Sequence, residues 1–265
     1  AAFGGVLVIM ALWEVASPMR RLSAGRSYRW PSNLGLVAFN SFALRTILPL
    51  TAAGTAAMAA EQGWGLFHYL SWSDWVSGLI TIILLDLAVY LQHVLFHAVP
   101  ILWRLHMVHH TDPDIDCTTG LRFHTLEIIV SMGIKILVVG LLGPPVWSVI
   151  AFEIILNGTA VFNHSNVRLP GSIDHLLRRI VVTPDMHRVH HSVLPVETNS
   201  NFGFNLPWWD WIFGTYCAQP FMGHQRMTIG LKAFQDARSV RLHWMMAFPF
   251  IRQDSNDAVL RRRQR

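Results

Sequence analysis

The chain has 265 residues, of which 52% are apolar and only 14% charged, against roughly a quarter charged in a soluble domain. With a mean hydropathy of +0.36 and 11 tryptophans, this composition excludes a disordered chain, a secreted disulfide scaffold and a coiled coil, and points to a bilayer. The net charge of +5 then reads as a membrane-orientation signal, and no nucleic-acid partner is expected.

Residues 1–16 form the first apolar run. No basic segment precedes it and no cleavage site follows it, so a membrane helix is expected there and not a signal peptide. Arg20, Arg21, Arg26 and Arg29 come next. Residues 33–60 make a long apolar segment with Arg45 and Pro49 inside it, and residues 75–99 a third, long enough to span, with Asp86 as an acid within it. Residues 126–142 and 146–162 flank Gly143-Pro144-Pro145 and read as a helical hairpin near the lower length limit for spanning, so it crosses the bilayer or re-enters it. From Asn163 the chain is mostly polar. The expected fold is an all-α membrane bundle of four to five helices with a cytoplasmic helical cap. Residues 1–74 would supply N-terminal membrane helices, 75–230 a core and 231–265 a basic tail ending in Arg261-Arg262-Arg263.

Lys and Arg crowd the loop after the first helix, the 100–123 connection and the C-terminal region, and are absent from 61–74 and the hairpin tip. The basic side is expected to be cytoplasmic, in a bacterial inner membrane.

Histidine is the other outlier, with 14. His93 and His97 are spaced i, i+4; His106, His109 and His110 are spaced i, i+3, i+4, and His187, His190 and His191 repeat that spacing. His164 is a single addition. All nine fall on the expected cytoplasmic side. Neutral imidazole suits zinc, copper, iron and nickel, and nine are too many for one ion, so two ions with four or five ligands each are expected. Two cysteines, Cys117 and Cys217, offer no disulfide framework or cysteine-based zinc site. Glu-x-x-His, His-Glu-x-x-His, glycine-rich dinucleotide and serine-elbow motifs are all absent.

The order H-x-x-x-H, H-x-x-H-H, H-x-x-H-H resembles the fatty acid hydroxylase/sterol desaturase superfamily of integral membrane di-iron enzymes, in its bacterial form. The likeness runs through residues 102–110, 118–124, 183–192 and 199–203, and through Trp209-Asp210-Trp211 and its sequel to Tyr216. Thr125 stands where many relatives have Pro, and Trp211 where an Arg is common. The resemblance implies that His93, His97, His106, His109, His110, His187, His190 and His191 are metal ligands, with His164 as the extra one. His124 is read as a ligand, a supporting group or a helix start. His68, His175, His224 and His243 are expected to be exposed or interfacial.

The resemblance further implies two iron ions (zinc after purification being an option), dioxygen as co-substrate, and hydroxylation of a C–H bond in a sterol-like, fatty-acyl or other membrane lipid. No flavin, nicotinamide or haem module is visible, so an external electron donor is implied: a cytochrome, a ferredoxin or a reduced pterin. The alternatives are a desaturase or ether-lipid monooxygenase with the same metals, a haem membrane cytochrome, or a non-catalytic histidine-rich metal-binding or transport protein.

Other polar residues carry expectations too. Lys135 lies nine residues before Pro144 and Glu153 nine after it, so both sit about 13 Å below the hairpin tip and should pair. Asp86 and Arg45 fall at comparable depth and are expected to serve in pairing. One of Asp112, Asp114, Asp116 or Asp185 is a candidate for orienting a metal-bound imidazole. Residues 207–211, rich in Trp, are read as an interfacial anchor or as packing of the cap.

Overall fold

The computed structural model describes residues 2–251; the Arg261–Arg263 run lies outside them. Among the described residues the chain is helical, with two isolated bridges, Pro18 to Val167 and Ser192 to Ile229, and no strand. The helices are α1 (Ala2–Ala16), α2 (Arg26–Ile47), α3 (Ala52–Gln62), α4 (Leu66–Leu70), α5 (Asp74–Ala98), α6 (Pro100–His110), α7 (Thr125–Leu142), α8 (Val146–Asn163), α9 (Gly171–Leu177), α10 (Pro184–His190), α11 (Pro195–Thr198), α12 (Trp208–Ile212) and α13 (Leu242–Ala247).

Four stretches are long and apolar enough to cross a membrane: Arg26–Gln62, Asp74–Ala98, Thr125–Leu142 and Val146–Asn163. The first is two helices. Pro49 lacks an N–H and pushes Leu48 into extended backbone (φ −113°, ψ 95°), so α2 stops at Ile47 and Thr51 starts α3 by accepting from the Gly54 N–H. Ser73 caps α5 by accepting from the Val76 N–H, and Pro100 ends that run and opens α6 at its first turn.

Gly143 closes α7 in the left-handed conformation (φ 58°), and a Cβ there would meet the Trp64 carbonyl oxygen at 2.2 Å. The hairpin tip and the 63–65 turn therefore share one end of the bundle. Between the ends, Ala56, Leu85, Val89, Val139, Val149 and Phe152 interlock as the core of α3, α5, α7 and α8. Large apolar side chains such as Leu79, Leu137 and Ile154 stay exposed on the outside, as lipid-facing positions do.

At the other end a buried ion-pair clamp sets the loop after α6. Arg29 donates to Asp112 at 2.7 Å and to Asp116 at 2.5 Å, with all three side chains shut off from solvent. Residues 231–251 fold back here, where Leu231, Phe234, Met245 and Phe248 pack on Leu36, Trp103 and Met107.

Lys135 and Glu153 pair as expected, Nζ to Oε1 at 2.6 Å. Asp86 does not pair with Arg45, which is exposed. It accepts instead from the Trp209 indole N–H at 2.8 Å and the Leu206 N–H at 3.2 Å. The chain beyond the bundle thus returns between α5 and α8 to a point halfway along α5. Asn163 donates to the Phe204 carbonyl, and Thr159 to Asn205. Trp209 is buried by this wedge, whereas Trp208 and Trp211 remain partly exposed. The Trp-rich run therefore combines packing with an apolar outer face.

Candidate metal centre

All nine motif histidines converge at the end of the bundle that also holds the Arg29 clamp, and all are buried. They form two groups, each with ring nitrogens lying within 4.8 Å of one another. His93, His97, His106, His110 and His190 make one; His109, His164, His187 and His191 make the other. Helical geometry explains the split. His106 and His110 lie i, i+4 on one face of α6 and His109 is turned away; in the same way His187 on α10 and His191 at its C-cap are parted from His190. Each triplet, though closely spaced in the sequence, serves two groups. His164 enters from the C-cap of α8. Gly120 permits this approach, since a Cβ there would meet the Ala160 carbonyl oxygen at 2.3 Å and His164 Nδ1 at 3.0 Å.

The outer ring nitrogens are held by oxygens. His93 Nδ1 lies 2.8 Å from the Phe202 carbonyl, His190 Nδ1 2.8 Å from that of Ser200, and His164 Nδ1 2.7 Å from that of Ala160. His97 Nδ1 meets Asn199 Oδ1 at 3.2 Å, and His106 Nδ1 meets Glu127 Oε1 at 2.6 Å. An oxygen acceptor requires Nδ1 to carry the proton, so in these five rings Nε2 presents a lone pair inward.

These lone pairs face each other. His93 Nε2 and His106 Nε2 stand 3.1 Å apart, although neither has a proton to offer. His164 Nε2 lies 3.0 Å from His109 Nε2 and 2.9 Å from His187 Nε2. The inward nitrogens of His97 and His190, and both nitrogens of His110, have no hydrogen-bond partner among the described residues. Opposed lone pairs in a dry interior are repulsive unless a cation lies between them. Two nitrogens bound at roughly 2.1 Å to one ion, about 90–110° apart, would be separated by about 3.0–3.4 Å. The donor set therefore fits two transition-metal ions.

The electrostatics agree. Burial, reinforced by neighbouring imidazoles, drives the pKa of His106, His109, His110, His187, His190 and His191 well below the usual 6.5. Burial takes His164 down to about 3. Neutral imidazole is the form that binds a metal.

His124 joins neither group. It caps α7, accepting from the Leu126 N–H at 3.2 Å. His68, His175 and His243 are exposed as expected. His224 is not: it is buried beside Arg188, Asp185 and Gln219. None of the four aspartates orients a site histidine. Asp112 and Asp116 bind Arg29, Asp114 accepts from the Ser23 and Ala24 N–H groups, and Asp185 pairs with Arg188 and His224. The carboxylate in that role is Glu127, which the sequence reading passed over. Its signal was an acid three residues after His124, in the first turn of an apolar helix.

A cavity of about 720 Å3 runs from the site between the membrane helices. It touches His93 and His106 of one group and His109 of the other, with Phe96, Phe123 and Leu121 beside them. Ile150 and Ile154 line it and are also exposed, so it opens sideways, where lipid would lie.

The family model for fatty acid hydroxylases matches residues 78–215, a span that contains all nine histidines. The chain is 28% identical over 183 residues to the ornithine lipid hydroxylase OlsE of Rhizobium tropici, a match covering 67% of this chain and 53% of that protein. It is 33% identical over 164 residues to human alkylglycerol monooxygenase, covering 60% of this chain and 34% of the relative. The zebrafish (Danio rerio) alkylglycerol monooxygenase is 31% identical, with 59% and 34% covered. Matches thus span about half of the first relative's length and about a third of the others. No solved structure gives a significant match.

Proposed function

The chain belongs to the fatty acid hydroxylase family, and on that premise we propose that it is an oxygen-dependent, di-iron hydroxylase of a membrane lipid. The observation that carries this reading is the cavity: it opens sideways from the bundle and reaches both histidine groups at once. A metal store or transporter has no use for a largely apolar passage of lipid dimensions ending between two candidate metal positions.

His93, His97, His106, His110 and His190 would hold one ion, and His109, His164, His187 and His191 the other. When bound, the iron pair would supply dioxygen reduction and removal of hydrogen from an unactivated C–H bond. The protein's part is positioning. Glu127 keeps the His106 Nδ1 proton in place, and the carbonyls of Phe202, Ser200 and Ala160 do the same for His93, His190 and His164. Phe96, Leu121 and Phe123 line the cavity where it meets the histidines and exclude water there.

Electrons would come from a separate cytochrome, ferredoxin or reduced pterin. The histidines share their end of the bundle with the Arg-rich loop after α1, which supports a cytoplasm-facing site in a bacterial inner membrane. The relatives are named for a hydroxylase and a monooxygenase of lipids, which favours oxygen insertion over desaturation. The likeness to alkylglycerol monooxygenases keeps ether-lipid oxidation as the second reading.

Membranes containing the protein, supplied with lipid extract, reductant and heavy-isotope oxygen gas, should yield an alcohol carrying the isotope. An unlabelled alkene would make the protein a desaturase. Absence of oxygen consumption with every extract and donor would overturn the enzymatic reading.

A further inference from the structure

The cavity is apolar near the histidines but not along its whole length. Glu127, Ser131 and Lys135 lie i, i+4 and i+8 along α7, and all three line it. Each has a partner across the space or at its edge: His106 for Glu127, Gln92 at 2.9 Å for Ser131, and Glu153 at 2.6 Å for Lys135. At 1.5 Å per residue, the Ser131–Gln92 pair sits about 6 Å, and Lys135–Glu153 about 12 Å, from Glu127 toward the bundle interior. A polar stripe therefore descends from the metal centre to a depth where a hydrocarbon ligand would offer it nothing.

Had Lys135 and Glu153 served only to cancel each other's charge, they would pack away from the passage. Both line it instead, and the Glu153 side chain keeps 29% of its surface open. Lys135 Nζ has three N–H donors, and Glu153 Oε1 is its acceptor among the described residues. The pair thus offers spare donors beside an acceptor, with no net charge. The complement is a neutral group that both accepts and donates. A secondary amide and a hydroxyl do both, an ester only accepts, and an alkane does neither.

We propose that Lys135 and Glu153, with Ser131 and Gln92 above them, form a subsite for a neutral donor–acceptor group of a lipid substrate, an amide linkage or a hydroxyl, placed roughly 6–12 Å from Glu127 along the α7 axis. The proposal rests on the hydroxylase reading. It makes the substrate a lipid whose amide or hydroxyl lies within the passage beside the metal centre, and not a bare alkyl tail. The acyl chain then leaves through the side opening beside Ile150 and Ile154.

The test is binding, read without turnover. Zinc-loaded full-length protein in phosphatidylcholine nanodiscs is titrated with N-propyldodecanamide, propyl dodecanoate and hexadecane, which have equal backbone lengths. The amide should bind roughly tenfold tighter than hexadecane, with the ester between, as expected for hydrogen bonds involving a charged partner. In the Lys135→Met/Glu153→Leu double variant, which strands no charge, the three should bind alike. Equal binding to the wild type, or an amide preference surviving in the variant, overturns the proposal. An independent readout needs no variant. The carbonyl stretch of the carbon-labelled amide should move to lower frequency on binding, relative to protein-free nanodiscs, and an unmoved band overturns the subsite. An amide preference without lipid turnover by the iron form would keep the subsite and refute the hydroxylase. Turnover without an amide preference would do the reverse.

Discussion

His106 and Glu127, 21 residues apart, meet at 2.6 Å through Nδ1 and Oε1. This contact ties the start of α7 to the histidine-bearing face of α6. It fixes the tautomer that turns His106 Nε2 toward His93. Removing the acceptor should weaken metal binding by roughly 10–100-fold, the range for loss of a group that orients a ligating histidine. Glu127→Leu should therefore lose metal to a chelator far faster than wild type, while Glu127→Gln, which keeps an oxygen acceptor, should retain most of it. Equal retention by both variants would show that the contact does not orient the ring.

Metal content and pH should be linked. The buried histidines outside the membrane-spanning helices, among them His106, His109, His187 and His191, have pKa values pushed below 6.5 by burial. Unfolding releases them to bind protons near their ordinary pKa. The unfolded state then carries more protons than the folded one below about pH 6.5, and stability falls as pH falls through that range. The metal-free protein should show a melting temperature that drops on acidification from about pH 7 to 5. Saturating zinc should raise the melting temperature at pH 7 and lose that effect as acid displaces it. A metal-free melting temperature independent of pH would contradict the neutral, buried state of these rings.

Stoichiometry separates the histidines that meet at the centre from those that do not. His109→Ala or His110→Ala should reduce bound metal below the two ions expected for wild type and abolish activity. His175→Ala, at an exposed position, should change neither. His224→Ala should lower stability by roughly 1–3 kcal/mol, because it takes a partner from the buried Arg188 guanidinium. It should leave the metal count unchanged. Elemental analysis of purified variants reads all of these.

The Lys135–Glu153 pair can be taken apart one partner at a time. Lys135→Met or Glu153→Leu should each cost roughly 1–3 kcal/mol, less than the roughly 3–5 for a fully buried pair, since Glu153 is 29% exposed. The double variant Lys135→Met/Glu153→Leu should recover much of the folded yield, read as the monodisperse fraction in detergent. A double variant as poor as the sum of the singles would show the two groups to be independent.

Arg29 offers the opposite case, with no open side. Its guanidinium, Asp112 and Asp116 are shut off from solvent. Arg29→Ala would bury two uncompensated carboxylates, at a cost of about 3–5 kcal/mol or more. Folded yield should collapse although Arg29 touches no site histidine. Near-normal yield and metal content would show that the clamp is dispensable.

The bilayer environment, the nine histidines and the Lys135–Glu153 pair were legible in the sequence because each depends on local rules. Apolar runs have a length, imidazoles have a helical spacing, and the two charges are equidistant from one turn. How the histidines divide between two groups was not legible. Periodicity places His106, His109 and His110 close together on α6, but which of them faces α5 and which faces α8 depends on how those helices cross. The same holds for the oxygens behind the rings. Glu127 lies 21 residues from His106, and Asn199 lies 102 from His97. Asp86 looked like a partner for Arg45 at equal depth, yet it binds Trp209, 123 residues away, because the chain beyond the bundle returns between α5 and α8. His224 sat in a polar stretch with no motif, and folding buried it against Arg188. Short-range spacing thus determined what chemistry the chain carries. Only long-range packing, which sets which faces are buried against each other, decided which ring nitrogens come together and which carboxylate holds one of them in place.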